Sequence, residues 1–451
     1  MSLETSISIK SLWQKNYNIN NKVSQFTVGK DRETDLFLAK YDVLGSLAHI
    51  QMLESIGLLT ADELQVLQQE LKLIYQDIQN GIFRIHEGIE DVHSQVEFLL
   101  TEKLGEVGKK IHSGRSRNDQ VLVDLKLYLR NELKELCMEV KQFFDLLISL
   151  SEKYKDVLLV GYTHFQVAMP SSFGMWFGAY AESLTDDLLV LLSAYKIANQ
   201  NPLGSAAGYG TSFPLNRKMT TELLGFEDLN YNSVYAQMTR GKTEKVVAFA
   251  IGSVASTLNK LASDVCLYMS QNFDFLTFPK ELTTGSSIMP HKKNPDVFEL
   301  IRAKCNRLLA LPNEINLILA NMPSGYHRDL QLIKENIIPA FQEIKDCIQI
   351  ATYMLENVIV RENIVEDDKY KYIFSVEAVN QEVLKGMSFR DAYKKIGLEI
   401  EQGTFEPVKM VRHTHEGSIG NLCNEQIQAK MQKVLQDFEF EQAEKIYDLV
   451  K

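Results

Sequence analysis

Between Arg115 and Val160 the chain contains neither glycine nor proline, the two residues that interrupt a helix. Within that span Leu122, Leu125, Leu129, Leu133, Leu136, Val140, Phe143, Leu147 and Leu150 recur at steps of three or four. That spacing predicts one apolar stripe on a single helix, roughly 50 Å long at ~1.5 Å per residue. Ser116-Arg117-Asn118-Asp119 has the form of a capping box and predicts its start. A second stripe, Phe173, Phe177, Tyr180, Leu184, Leu188, Leu191 and Tyr195, follows Pro170, which is expected to open that helix. A third, Val247, Ile251, Val254, Leu258, Leu261, Val265 and Tyr268, alternates steps of four and three as a heptad seam does. Rods of this length outrun what one small core buries, so they are expected to pack as a bundle and to associate with further copies.

The fold is therefore read as mainly α, a long-helix bundle. Three helical domains are expected: an N-terminal one at 1–111, the central bundle at 112–365, and a smaller C-terminal one at 366–451. There is no run of alternating strand residues, no internal repeat and no low-complexity tract. The connections Gly161–Pro170, Asn201–Pro214 and Thr283–Pro295 are rich in Gly, Pro and Ser, and loops mounted on rigid helices are where chemistry tends to sit.

Composition narrows the function. The formal net charge of −11 over 451 residues argues against a nucleic-acid binder, which needs a basic surface. It leaves room for an anionic small-molecule substrate held in a local basic pocket. Five cysteines without a CxxC fit reduced thiols in a cytoplasmic protein. Met1–Lys10 is too polar for a secretory signal, and no apolar run approaches the ~18 residues that span a bilayer, so no membrane partner is expected.

Four segments carry candidate chemistry. His112–Gln120 sets Arg117 and Asn118 at a helix N-terminus, where free N–H groups and the helix dipole favour a carboxylate. Tyr162-Thr163-His164-Phe165-Gln166 lies between two long helices; a lone histidine is more often structural, but its place in a short polar connection shifts the balance toward function. Gly285–Asp296, with Ser286, Ser287, Lys292 and Asn294 framed by Gly285, Pro290 and Pro295, resembles a mobile lid that carries its own base and cations, with Glu299 on the next helix. Tyr326–Gln331 with Lys334 places Gln331 and Lys334 on one helix face. A phosphate loop, a dinucleotide fingerprint and a metal site are not expected. Gly204–Gly210 has the wrong glycine spacing, Gly105–Lys109 is too short, and His86, His93 and His112 lack an HExxH pattern. His93 and Glu97, at i,i+4, read as a helix-surface pair.

The Gly285–Glu299 segment resembles the signature of the fumarase/aspartase superfamily. Within it HSGRSRNDQVLVDLKLYLR (112–130), YTHFQ (162–166), PLGSAAGYGTSFP (202–214) and YHRDLQ with Lys334 resemble the argininosuccinate lyases. The resemblance implies a homotetramer whose bundle is completed by association, with sites shared among three subunits. It implies a cofactor-free elimination releasing fumarate and arginine from argininosuccinate. By it Ser286 is the base and His164 the partner histidine that Glu299 orients. Lys292 and Asn294 hold the carboxylate and carbanion, while Asn118, Thr163, Tyr326, Gln331 and Lys334 bind substrate, joined by Arg117 and Arg240. His291 stands where argininosuccinate lyases usually carry Gln, a feature shared with adenylosuccinate lyases, which are the alternative enzyme; a catalytically silent crystallin-like structural protein is the other. Met238–Lys242 departs from the family pattern around Arg240, and Gly29–Arg32 departs so far that no site residue is assigned there.

Overall fold

The computed structural model describes residues 20–451, so Met1–Lys10 lies outside the described residues. The molecule is mainly helical. An N-terminal group comprises α1 (Ala39–Ser55), α2 (Ala61–Gln79) and α3 (Val92–Leu104). The bundle follows, with α4 (Arg117–Lys153), α5 (Phe173–Ala198), α6 (Ser233–Tyr268), α7 (Asp296–Ile318) and α8 (Ile333–Glu356). The chain ends on α9 (Ser375–Leu384), α10 (Phe389–Glu401) and α11 (Asn424–Gln436).

Helix α4 starts as its sequence dictates. The Ser116 hydroxyl accepts from the helix's first free N–H groups, and the Asp119 carboxylate accepts the Ser116 N–H at 2.8 Å. All nine residues of its stripe are buried. The seven of the second stripe are buried along α5, and those of the third along α6 up to Val265, with Tyr268 half-buried at the end. By length and composition α6 could cross a membrane, but most of its apolar stretch is buried, as in a core helix.

Polar groups fix how the rods lie on one another. The Asp187 carboxylate of α5 accepts the hydroxyls of Ser253 and Thr257 from α6, at 2.5 and 2.6 Å. Near the other end of the pair, Trp176 Nε1 and Tyr180 OH donate to Asp264 at 3.0 and 2.6 Å. Helix α7 returns antiparallel to α6, tied by Asn259 Nδ2 to the Arg302 carbonyl at 2.9 Å. Tyr128 of α4 packs edge-on against Tyr41 of α1 and Phe341 of α8, each at 6.1 Å between ring centres. The main core is continuous from Leu38 to Leu449, and a small separate one (Val379, Ala392, Ile396, Phe405) lies between α9 and α10.

Two expectations fail between α4 and α5. The segment read as a connecting loop is an antiparallel hairpin, β1 (Leu158–Thr163) and β2 (Gln166–Ser172). Pro170 pairs with Val160 inside β2, and the helix is opened instead by Ser172, whose hydroxyl accepts the Met175 N–H at 3.1 Å. The hairpin requires a glycine at its bulge, Gly161, because a Cβ there would meet the Met169 carbonyl oxygen at 2.8 Å. The remaining strands are two residues each: β3 (Gln200–Asn201) with β4 (Asp228–Leu229), β5 (Leu276–Thr277) with β8 (Ile359–Val360), and β6 (Thr284–Gly285) with β7 (Lys293–Asn294).

Leu133, fully buried in the middle of α4, tests the seam. Leu133→Ala is expected to cost about 2–5 kcal/mol in denaturant unfolding, whereas a loss under ~0.5 kcal/mol, typical of a surface site, would mean that the stripe is not the core.

Candidate active site

The residues expected to form the site fall into two groups at opposite ends of the bundle, separated by α4. At one end, the N-termini of α4 and α8 and the start of α6 enclose a cleft of about 250 Å³. Arg117, Asn118, Arg240, Tyr326, Gln331 and Lys334, all expected from the sequence, line it together. Gln331 and Lys334 do lie on one face, with Gln331 in a 3-10 turn (Arg328–Leu332) that runs straight into α8.

Both residues reach back to a segment to which the sequence assigned nothing. Gln331 Nε2 donates to the carbonyls of Thr27 and Val28, each at 3.0 Å. Lys334 Nζ, almost wholly buried, contacts Asp31 at 2.8 Å and also pairs with Asp35. Burial works against the ammonium charge, yet Asp35 and Asp31 outweigh it and raise its pKa. Burial also dominates at Asp31, whose carboxyl is pushed up to about 6 despite Lys334. The departure at Gly29–Arg32 thus supplies a cleft residue, Asp31.

Arg117 lies 3.3 Å from Glu90 and 3.1 Å from Asp91 and donates to Ser94 Oγ at 2.7 Å. Asp91 is held below its ordinary pKa: burial opposes its charge, but His93, Arg117 and the Ser94 hydrogen bonds prevail. Arg328 pairs with Glu90. Arg240 is positioned by a break in α6, where Gly241 takes φ +79 and a Cβ would come within 2.2 Å of Leu319. Glu244 holds the break by accepting the Gly241 N–H at 2.7 Å and lying 3.1 Å from Arg240 Nε; Arg240 Nη2 donates to the Leu330 carbonyl at 3.1 Å.

His93 is no surface partner of Glu97. It is buried beneath the cleft, its Nδ1 2.8 Å from Asp42 Oδ1 and 3.4 Å from Asp124 Oδ2. Glu97 lies instead 3.7 Å from His112, whose pKa burial, Arg115 and Arg117 lower to about 4. Gln120 Nε2 donates to the same Asp42 oxygen at 2.6 Å, so that Asp42 Oδ1 holds both His93 and Gln120. Asp31, Asp35, Glu90, Asp91, His93 and Arg328 were missed because each side chain's role depends on partners distant in sequence. Only Asp91 had a local signal: it caps α3, accepting the Ser94 N–H at 2.8 Å.

The other candidates sit at the far end. Thr163 and His164 occupy the exposed tip of the β1–β2 hairpin, after the C-terminus of α4. His164 and Phe165 form its two-residue turn with φ of 54° and 57°, a left-handed pair that bulky residues rarely adopt. Tyr162 packs on Phe273, 5.2 Å between ring centres, placing the hairpin against the exit from α6. From that exit the chain runs into the β6–β7 lid. Ser286 is half-buried there, its Oγ accepting the N–H groups of Met289 at 3.1 Å and Ile288 at 3.4 Å. Asn294 Nδ2 donates to the Gly285 carbonyl at 3.4 Å, and Lys292 and His291 are exposed. Glu299 is exposed on the first turn of α7, and among the described residues no hydrogen bond joins it to His164. Neither the hairpin nor the lid lines the cleft. Asn118 and His164 are separated by the 37 residues of α4, roughly 55 Å at ~1.5 Å per residue.

Asp119 ties the glycine-rich connection to the cleft end, its Oδ2 accepting the N–H groups of Gly204 and Ala206, each at 2.9 Å. Burial dominates its titration, raising the pKa to about 6 against the pull of three backbone N–H donors.

A family model described as a lyase matches residues 17–309. An argininosuccinate lyase of Parabacteroides distasonis is 65% identical over 432 residues, covering 96% of this chain and 97% of that one. One from Bacteroides thetaiotaomicron is 63% identical over 439 residues, covering 97% and 98%, and one from Thermotoga neapolitana is 38% identical over 387 residues, covering 86% and 97%. Among solved structures, EDDS lyase in complex with formate aligns with TM-score 0.72 at 20% identity, covering 96% of this chain and 97% of that one. A class II fumarase from Schistosoma mansoni aligns with TM-score 0.71 at 14% identity, covering 92% and 94%. Both share the fold.

Asp119→Ala removes the acceptor of three N–H groups and half of the capping box. Thermal or denaturant unfolding is expected to show a loss of about 2–4 kcal/mol; a change below ~0.5 kcal/mol would mean that the connection is held by other contacts.

Proposed function

The chain belongs to the lyase family of the fumarase/aspartase type and has argininosuccinate lyase activity, and we propose that its catalytic site joins the cleft of one copy to the hairpin and lid of others. The observation that carries this reading is the span of α4. Asn118 and His164, both expected to meet one substrate, stand at opposite ends of a 37-residue rod. No loop movement within one chain closes such a distance, whereas antiparallel association of bundles brings unlike ends together. A homotetramer built on the long helices satisfies this.

The cleft suits the arginine half of argininosuccinate. Asn118, Tyr326, Gln331 and Lys334 offer polar contacts, and Arg117 and Arg240 add charge for a carboxylate. The carboxylates of Asp31, Asp35, Glu90 and Asp91 suit a guanidinium or ammonium group and disfavour a purine phosphate, which sets the adenylosuccinate alternative aside.

On the lid, Ser286 removes the proton from the carbon beside a carboxylate of the succinyl half. The electron pair moves into that carboxylate as an aci-form, then forms the C=C bond of fumarate as the bond to the guanidino nitrogen breaks. The cationic guanidinium takes the bonding pair, departs as neutral guanidine and is then protonated to the guanidinium of arginine. An unperturbed serine is too weak a base, but hydrogen bonds to the charged form lower a pKa. The backbone N–H groups of Met289 and Ile288 already point at Ser286 Oγ, and Lys292 follows on the same lid. Lys292 and Asn294 stabilise the doubly charged aci-carboxylate, each such donor being worth about 2.7–4 kcal/mol of barrier. Thr163 and His164 come from a further copy, with His164 held in place by its turn and Glu299 as its charge partner across the assembly.

Fumarate release from argininosuccinate, followed by ultraviolet absorbance, tests the roles. Ser286→Ala is expected to remain a folded oligomer and to lose at least a thousandfold in turnover. Unfolding and refolding it together with His164→Asn should restore part of the activity, because some mixed sites take both intact residues from different chains. Near-normal turnover by Ser286→Ala, or no rescue in proven hybrids, would contradict the arrangement.

A further inference from the structure

Beneath the cleft, Asp42 of α1, His93 of α3 and Asp124 of α4 converge with almost no exposure. Asp42 Oδ1 receives two donors, His93 Nδ1 at 2.8 Å and Gln120 Nε2 at 2.6 Å. Asp124 is different. Among the described residues neither of its oxygens has a hydrogen-bond partner, nor does Asp42 Oδ2; His93 Nδ1 comes no nearer to Asp124 than 3.4 Å, and an oxygen of each carboxyl group lies within 4.8 Å of the other and of the ring. An ionised carboxylate without donors in a dry interior costs several kcal/mol. A proton on Asp124 removes that charge and supplies the donor that the facing oxygens lack. His93 also lines the cleft, and since Asp42 takes Nδ1, its other ring nitrogen, Nε2, remains for the cleft.

We propose that Asp42, His93 and Asp124 work as one positioning unit, in which ionised Asp42 fixes His93 Nδ1–H, proton-bearing Asp124 closes the other side, and His93 Nε2–H is held toward the cleft as a donor to a substrate carboxylate. The surrounding charges agree. Burial and Asp42 push Asp124 well above the ordinary carboxylate range, with Arg115 opposing and Asp35 adding. Burial raises Asp42 too, but His93, Arg115 and Gln120 more than reverse it. Burial disfavours the imidazolium of His93, yet Asp42, Asp91 and Asp35 raise its pKa overall. Glu97, itself raised by burial, faces Asp42, and His112 faces His93. The result is a pair of carboxyl groups with unequal duties: one must carry charge, the other must not.

The inequality makes the proposal testable by isosteric exchange. Asn mimics a protonated Asp, so Asp124→Asn should keep KM for argininosuccinate within threefold of wild type. Asp42→Asn removes the charge that orients His93 and should raise KM at least tenfold with a smaller change in kcat, a split that loss of folded protein alone would not produce. Should Asp42→Asn not fold, His93→Gln takes its place and should show the same rise in KM. Equal losses in Asp124→Asn and Asp42→Asn, or an unchanged KM in folded His93→Gln, would overturn the proposal. It rests on the cleft being the arginine-half site, which Asn118→Ala tests separately: a raised KM for argininosuccinate there keeps that reading whatever the cluster variants do, and an unchanged KM takes both down.

Discussion

The length of α4 is the constraint from which the rest follows. A 37-residue helix with a buried stripe is a rigid spacer, and it fixes the cleft at one end and the hairpin that carries Thr163 and His164 at the other. The other rods keep the same division. Helix α6 carries Arg240 near its start and leads to the hairpin end at Tyr268, α7 returns from the lid, and α8 leaves the cleft with Lys334 near its first turn. Under the proposed assembly, chemistry requiring both ends would be joined between chains; within one chain the apolar stripes of these rods are already buried against one another.

Charge at the cleft is arranged in opposed pairs rather than as a simple basic pocket. Lys334 with Asp31 and Asp35, Arg117 with Glu90 and Asp91, and Arg328 with Glu90 hold one another in place. A buried ion pair is a weak source of stability because desolvation offsets attraction. Its value here is orientation: the paired side chains are held in fixed positions around the cleft, and under the proposed function they would face a substrate bearing both guanidinium and carboxylates. The net charge of −11 is compatible with an anionic substrate for the same reason, since recognition is local.

The bundle was legible in the sequence because its information is periodic and local. Each residue of the α4 stripe repeats one instruction, and Ser116 and Asp119 mark the start within a single turn. The Gly285–Pro295 loop, rich in Gly, Ser, Lys and Pro, was legible as an irregular connection ahead of α7. What escaped were features set by distant partners. His93 had a local candidate in Glu97, but its partner is Asp42, 51 residues away on another helix. Lys334 meets Asp35 across 299 residues, a pairing no spacing rule reaches. The hairpin was missed because one strand contains Pro170, the other a bulge at Gly161, and its turn uses His164 and Phe165 where Asn-Gly would have announced it.

The central claim is that one chain holds both halves of the site but cannot join them. Specific activity on argininosuccinate, measured through a dilution series alongside sedimentation velocity, addresses it most directly. Activity per chain should fall in step with dissociation and vanish in the monomer. A folded monomer that retains the specific activity of the assembly would show that hairpin, lid and cleft meet within one chain, and would contradict the account.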